Sequence, residues 1–265
     1  MKIAAMLRIK NEARWIKRVL DSVAPLCQNV CVLDDHSTDD TMSIVGDWLC
    51  AHEDTHQGLY VRNPAFKGSI NETRDKNFLY SRIMDSFAPD WVLHIDGDEE
   101  LEPAGIDAIR AAVESNTAQC YSLQVLYLWN NERTIRTDGI YKNFFRQSLF
   151  STKGTNGIFN PTSHGKGTAA NLHCTNVPHD MIPKAAWLTT ARLLHYGYID
   201  RDMRMAKWDF YNTVDPDNVL EDRYRHIVAG DIPEVPAWAR TKWAGPLTLE
   251  EFTPRLAQVQ EVVNA

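Results

Sequence analysis

The ten residues from Trp91 to Glu100, WVLHIDGDEE, pass from a short apolar run into four acids and one glycine. Trp91 to Ile95 has the length and the aromatic and β-branched content of a buried strand. That reading puts Asp96, Asp98, Glu99 and Glu100 at the strand's carboxyl end, where ligands bind in open α/β sheets. Two carboxylates one residue apart, with Gly97 relaxing the backbone between them, can share one Mg²⁺ or Mn²⁺ that keeps open positions for phosphates. A solvated acidic turn capping the next helix is the competing reading, and the rest of the chain has to decide between them.

The chain before and after this run alternates. Lys2 to Leu7 reads as a strand, and Asn11 to Ser22 as a helix with Ile16, Val19 and Leu20 on one face, continued by Val23. Val30 to Leu33 is a second strand ending in Asp34 and Asp35. A helix from Thr38 to Leu49 follows, with Ser37 or Thr38 as its cap and Asp39 and Asp40 in its first turn. Leu59 to Val61 is a third strand, Asn71 to Phe87 a helix stopped by Pro89, and Pro103 to Glu114 a helix opened by its proline. This βαβαβ order predicts an α/β fold, a Rossmann-like, mostly parallel sheet flanked by helices.

Beyond Ser115 the character changes. Cys120 to Trp129 and Tyr141 to Phe145 read as strands, Ser151 to Ala170 as a long loop, Arg201 to Tyr211 as a helix, and Leu249 to Val263 as an amphipathic terminal helix. The expected organisation is one structural domain with three parts: residues 1–115, residues 116–230, and an arm and helix over 231–265. Asp231 to Trp243 would pack on another subunit, on a membrane-bound complex, or on its own domain.

A net charge of −7 argues against nonspecific nucleic-acid binding. Five scattered cysteines without a CxxC pair indicate neither a disulfide framework nor a cysteine zinc site, which fits a reduced cytoplasm. No window approaches the roughly 20 apolar residues of a membrane span, so membrane contact, at the inner face, would be peripheral. Nine histidines, among them His36, His94, His164 and His179, raise a zinc hydrolase as a rival, but no HExxH spacing supports it.

Three segments in order, MLRIKNEARWIKRVLDSV, VCVLDDHSTDDT and VLHIDGDEE, resemble the nucleotide-binding half of family-2 glycosyltransferases of the GT-A fold. The resemblance covers residues 1–115 and implies a GT-A sheet with a mixed, acceptor-side C-terminal region. It implies a metal-dependent glycosyltransferase, moving a sugar from a nucleoside-diphosphate sugar to a hydroxyl of a carbohydrate or glycolipid in surface polysaccharide or glycoconjugate synthesis. By the same resemblance Asp35, or Asp34 as the alternative, would accept hydrogen bonds from the donor base, and Arg8, Lys10, Asn11 and Glu12 would line the base and ribose pocket. Arg74 would lie near the nucleotide, although the family's Ala-Arg-Asn triplet is not reproduced. Asp96 would touch the ribose or a metal-bound water, Asp98 would bind the Mn²⁺ or Mg²⁺ bridging the diphosphate, and His195 in RLLHYGYID would be a further ligand from the second half.

Lys207 and Tyr211 would close over the diphosphate, or else form a solvated helix face. An inverting transfer needs a base for the acceptor hydroxyl. Asp180 and His173 are the expected catalytic residues, with His179 and Glu132 as further candidates; a retaining enzyme would need no dedicated base. Trp129, Trp187, Trp208, Trp238 and Trp243 offer faces for sugar C–H surfaces or simply fill the core. Two other classes stay open. A sugar nucleotidyltransferase should carry a Gly-rich loop after the first strand, which Arg8 to Glu12 lacks, and a noncatalytic nucleotide-sugar-binding protein would need no base. Donor base, sugar, acceptor and oligomeric state, including a homo-oligomer, are not set by these motifs.

Overall fold

The computed structural model describes residues 1–65, 67–68, 70–162, 171–218 and 222–256. Four parallel strands make one half of the sheet: β1 (Ile3–Ile9), β2 (Asn29–Asp34), β3 (Gln57–Arg62) and β4 (Trp91–His94), in the order β3-β2-β1-β4. Alternation along these strands sorts their side chains onto two faces. Ala5, Leu7, Val30, Val32 and Leu93 pack against α1 (Ile16–Val23), α2 (Thr41–Ala51) and α4 (Pro103–Ser115). Ala4, Met6, Cys31, Leu33 and Val92 pack against α3 (Glu72–Ser86). Both faces are covered, which is why β1 and β2 read as nearly unbroken apolar runs.

The second half of the sheet is mixed. β6 (Cys120–Trp129), β7 (Asn131–Arg136) and β8 (Phe145–Ser151) follow β4, with β8 antiparallel to both β4 and β6. The long β9 (Ala185–His195) runs parallel to β6 and antiparallel to the short β5 (Glu99–Leu101), and α5 (Arg201–Val214) follows it. The register Glu99↔His195 brings the end of β9 beside the acidic turn.

Several expected boundaries move for local reasons. α1 starts at Ile16 rather than Asn11, because Asn11 takes a left-handed φ of 56° and its N–H is held by Ser37 Oγ at 2.8 Å. Ser37 and Thr38 therefore do not cap α2; Thr38 N–H donates to Asn11 Oδ1, and the helix begins at Thr41, whose N–H donates to Asp39 Oδ1 at 3.1 Å. Tyr141 to Phe145 is not a strand. Gly139–Asn143 is a 3-10 turn with Gly139 at φ 53°, packed against the Trp243 carbonyl, and the strand begins only at Phe145. The expected terminal helix from Leu249 opens instead as β10 (Leu249–Glu251), which satisfies the backbone edge of β7. Phe252 then packs with Trp15, Leu126, Leu128 and Tyr196, and residues 257–263 of that expected helix lie outside the described residues. Of the expected loop from Ser151 to Ala170, residues 152–162 form no helix or strand beyond a Pro161–Cys174 bridge, and 163–170, with His164, lie outside the description.

The arm packs on its own domain. Asp231 pairs with Arg204 of α5 at 2.5 Å, and the Trp243 carbonyl accepts from Ile140 N–H. Beneath it, buried Arg136 forks onto Asp138 and donates to the His226 carbonyl, while the Tyr141 hydroxyl bonds His226 Nδ1 at 2.6 Å. Burial, then the charge of Arg136, push the His226 imidazole down to about 3. The stabilisation tied to its neutral ring is complete above the ordinary value near 6.5 and is lost as the pH falls toward 3. By pH 5 this amounts to about 2 kcal/mol, at roughly 1.4 kcal/mol per unit. Chemical denaturation of His226→Gln should show a flatter fall between pH 7 and pH 5 than the parent; an identical slope would contradict the assignment.

Candidate active site

The carboxyl ends of β1, β2 and β4 open into a cavity of about 570 Å³. It collects Arg8, Lys10, Asn11, Glu12, Asp35, Asp96, Asp98, His173, His195, Lys207 and Tyr211, and leaves out Asp34, Arg74, Asp180 and the further base candidates His179 and Glu132, the last of which pairs with Arg18. At one end Asp35 is held between Asn63 Nδ2 and Arg8 Nη2, both at 2.9 Å, with Lys10 Nζ at 3.7 Å. Arg8 is fixed in turn by Asp75 at 2.9 Å. Asp34 points elsewhere, its carboxylate accepting from Ser37 N–H. Arg74 donates to Asp75, which in turn holds Arg8 on the cavity wall.

The acidic turn forms the other end. Asp96 is bonded at 2.8 Å by Arg146 of β8, which also pairs with the fully buried Glu99. Burial pushes Glu99 up to about 7 against the pull of Arg146, and Glu99 accepts from Asp96 N–H. Asp96, expected at the ribose or beside a metal ion, gives one carboxylate oxygen to Arg146 and lines the cavity wall. Asp98 faces the second half of the chain: Lys207 Nζ lies 2.7 Å and His195 Nε2 3.8 Å from its Oδ2. Burial opposes the Asp98 charge, but Lys207 and then His195 hold its carboxyl below the usual range. Burial lowers the His195 imidazole to about 4 and, with Asp98 adding to it, raises the Glu12 carboxyl to about 9.

The fold leaves no slack here. A Cβ on Gly197 would lie 2.2 Å from Asp98 Oδ2, 2.3 Å from Lys207 Nζ and 2.5 Å from His195 Cε1, so any side chain there would push this group apart. Gly197 N–H donates to His195 Nδ1 at 3.1 Å, and the rings of Tyr127 and Tyr198 flank the imidazole at 4.9 and 4.8 Å. Tyr198 also lies under Lys207, 5.1 Å from its ammonium.

A second cavity of about 340 Å³ shares the Arg8, Glu72, Asp96, His173 and Tyr211 wall and extends to Lys76, Thr162 and Asn176. Its buried Lys76 donates to Asn176 Oδ1 at 2.8 Å. Asp180 lines neither cavity: its carboxylate accepts from Thr155 Oγ1 at 2.8 Å and Asn156 N–H at 3.2 Å, tying down that loop. Of the two expected catalytic residues, only His173 is on the shared wall. Sequence reasoning missed Glu72, Lys76, Tyr198 and Arg146. The first two lie in the NETRDKN segment, where only Arg74 drew attention, and no local pattern ties Arg146 to a turn 50 residues earlier.

The donor set can be tested against a divalent ion. Among the described residues no three His, Cys, Asp or Glu side chains converge as a metal-binding group. Asp98 and His195 stand together on the cavity wall, one carboxylate and one imidazole, with the Lys207 ammonium bonded to the carboxylate. Such a set suits Mg²⁺ or Mn²⁺ whose shell is completed by phosphate oxygens and water.

No protein-family model matches the chain. An uncharacterized glycosyltransferase of Rickettsia bellii is 29% identical over 217 residues, 80% of this chain and 65% of that protein. One from Rickettsia felis is 30% identical over 138 residues, 51% of this chain and 43% of the relative. This chain therefore spans less than two thirds of the length of either. Among solved structures, S. aureus TarS 1-349 in complex with UDP-GlcNAc superposes with a TM-score of 0.50 at 13% identity, over 86% of this chain and 71% of that one. The fold is GT-A-like. In a GT-A-like frame, the cavity at the carboxyl ends of β1, β2 and β4 is the crevice where an open α/β sheet takes its ligand. No helix among the described residues is long and apolar enough to cross a membrane.

Proposed function

We propose that this protein transfers a sugar from a nucleoside-diphosphate sugar to an acceptor hydroxyl, with a divalent ion and inversion at the anomeric carbon. The observation that carries the proposal is one cavity holding Asp35 at one end and the Asp98, His195 and Lys207 group at the other. A nucleoside diphosphate has the matching polarity, a hydrogen-bonding base at one end and a compact negative charge at the other. Relatives named as glycosyltransferases and the GT-A-like fold support the same reading.

Asp35 accepts from the donor base, with Arg8 and Lys10 beside it, and the Asn11–Glu12 turn lines the ribose. Asp98, with His195, would hold Mn²⁺ or Mg²⁺, which when bound neutralises charge on the leaving diphosphate as a Lewis acid. Lys207 donates to the phosphates, and Tyr211 closes that side. His173, on the wall common to both cavities, takes the acceptor's proton. Carbohydrate or glycolipid acceptors in surface polysaccharide or glycoconjugate synthesis, on the cytoplasmic side of a membrane, are the proposed setting.

The test is thermal denaturation with UDP, GDP, dTDP and CDP, each with Mn²⁺ and with EDTA. A ligand at 100 times its dissociation constant adds about 2.7 kcal/mol, a shift of several degrees at most for a chain of this size. One diphosphate should raise the melting temperature with Mn²⁺ and much less with EDTA. No shift with any of the four would sink the proposal, and a shift without turnover on any acceptor would favour a noncatalytic binding protein.

A further inference from the structure

Lys207 occupies the carboxylate oxygen that a divalent ion would need. Its ammonium lies 2.7 Å from Asp98 Oδ2, the same oxygen that His195 Nε2 faces at 3.8 Å. Gly197 N–H donates to His195 Nδ1 at 3.1 Å and fixes the ring so that Nε2 faces that oxygen from beyond hydrogen-bond distance. Asp98 is thus bonded to one ammonium before any ligand arrives. Lys207 is also held from its other side: its ammonium rests over Tyr198, and α5, which carries it, is pinned by the Arg204–Asp231 fork and by Asp200, which caps the helix at Met203 N–H. An ion arriving alone would have to displace an ammonium and then remain beside it, and no third protein ligand among the described residues offsets that repulsion.

From this arrangement we infer that Lys207 is a positioning residue that sets the order of binding: the divalent ion enters with the nucleoside diphosphate, not before it. The diphosphate supplies the missing oxygen ligands and gives the Lys207 ammonium a new anionic partner. Lys207 therefore leaves Asp98 only when both arrive together. The inference rests on the proposed donor and on Asp98 as an ion ligand.

The test follows free Mn²⁺ by electron paramagnetic resonance during titration of the intact protein, first without nucleotide and then with UDP, GDP, dTDP or CDP. The parent should take up Mn²⁺ weakly alone and at least about tenfold more tightly with one diphosphate. Lys207→Met should bind Mn²⁺ alone about tenfold more tightly than the parent, Lys207→Arg should not, and Asp98→Asn added to Lys207→Met should erase the gain. A lysine that only supports the fold would never improve ion binding when removed. Equal Mn²⁺ affinity of parent and Lys207→Met without nucleotide would overturn the inference, whatever the nucleotides do. If no diphosphate tightens Mn²⁺ in the parent while Lys207→Met still gains affinity, the proposed donor fails and the blocking role of Lys207 stands. Should Lys207→Met fail to fold, as judged by circular dichroism, Lys207→Gln carries the same expectation.

Discussion

Asp98→Asn is expected to lower sugar transfer by about 10³-fold with the fold intact, the scale of losing one strong electrostatic contribution to a transition state. Asparagine fills the same volume, and its amide oxygen can still accept from Lys207, so the clustered packing against Gly197 is kept. What is lost is the negative charge, and with it the reason for a divalent ion to stay. The loss should fall on metal-dependent donor binding first: the parent's Mn²⁺-dependent thermal shift with its nucleotide should vanish, while circular dichroism and the melting temperature without ligand remain near those of the parent. If the variant binds and turns over donor as the parent does, Asp98 is not at the reacting centre and the ion must be held elsewhere.

The largest expected effect on stability comes from Arg146→Met. Arg146 stands on β8 and joins two carboxylates of the acidic turn, Asp96 at 2.8 Å and the wholly buried Glu99. Removing the guanidinium strands a buried charge, which costs about 3–5 kcal/mol. The proton can partly replace the arginine. With burial raising it, the Glu99 carboxyl titrates near 7, above its ordinary 4.5. A group raised in this way stabilises the fold below 4.5 and loses that contribution as the pH rises through 7. Urea denaturation should therefore find the variant more severely destabilised at pH 8 than at pH 5.5, and Arg146→Met with Glu99→Gln should recover much of the loss at pH 8. A pH-independent deficit would mean that packing of the arginine stem, not charge, sets the cost.

The alternating half of the fold was legible because both faces of its sheet are covered. β1, β2 and β4 show as apolar runs, and the carboxylates at the ends of β2 and β4 follow directly in sequence. Cys120 to Trp129 was read at its true limits for the same reason. Legibility failed where partners come from far along the chain. Leu249 to Glu251 carries no strong β pattern and becomes a strand only because the edge of β7 lies beside it. Tyr141 has the composition of a strand residue, but Gly139 turns the chain so that its hydroxyl reaches His226. In the cavity, Asp35 and Asp34 could not be told apart from sequence, because Arg8 and Asn63 on one side and Ser37 on the other decide which carboxylate faces inward. Asp180 was attractive as an acid beside a histidine, yet its carboxylate serves the Thr155–Asn156 turn.

The register Glu99↔His195 also bears on how the molecule assembles in time. Lys207 and Asp98 are 109 residues apart in the chain, so no local fragment contains the Asp98 end of the cavity. β1, β2 and β3 pair across only 25 and 28 residues, whereas β1 meets β4 across 88 and β5 meets β9 across 96, each a long loop to close. The complete cavity is therefore expected to form only after both long closures, later than the β1–β3 pairs that carry one of its walls.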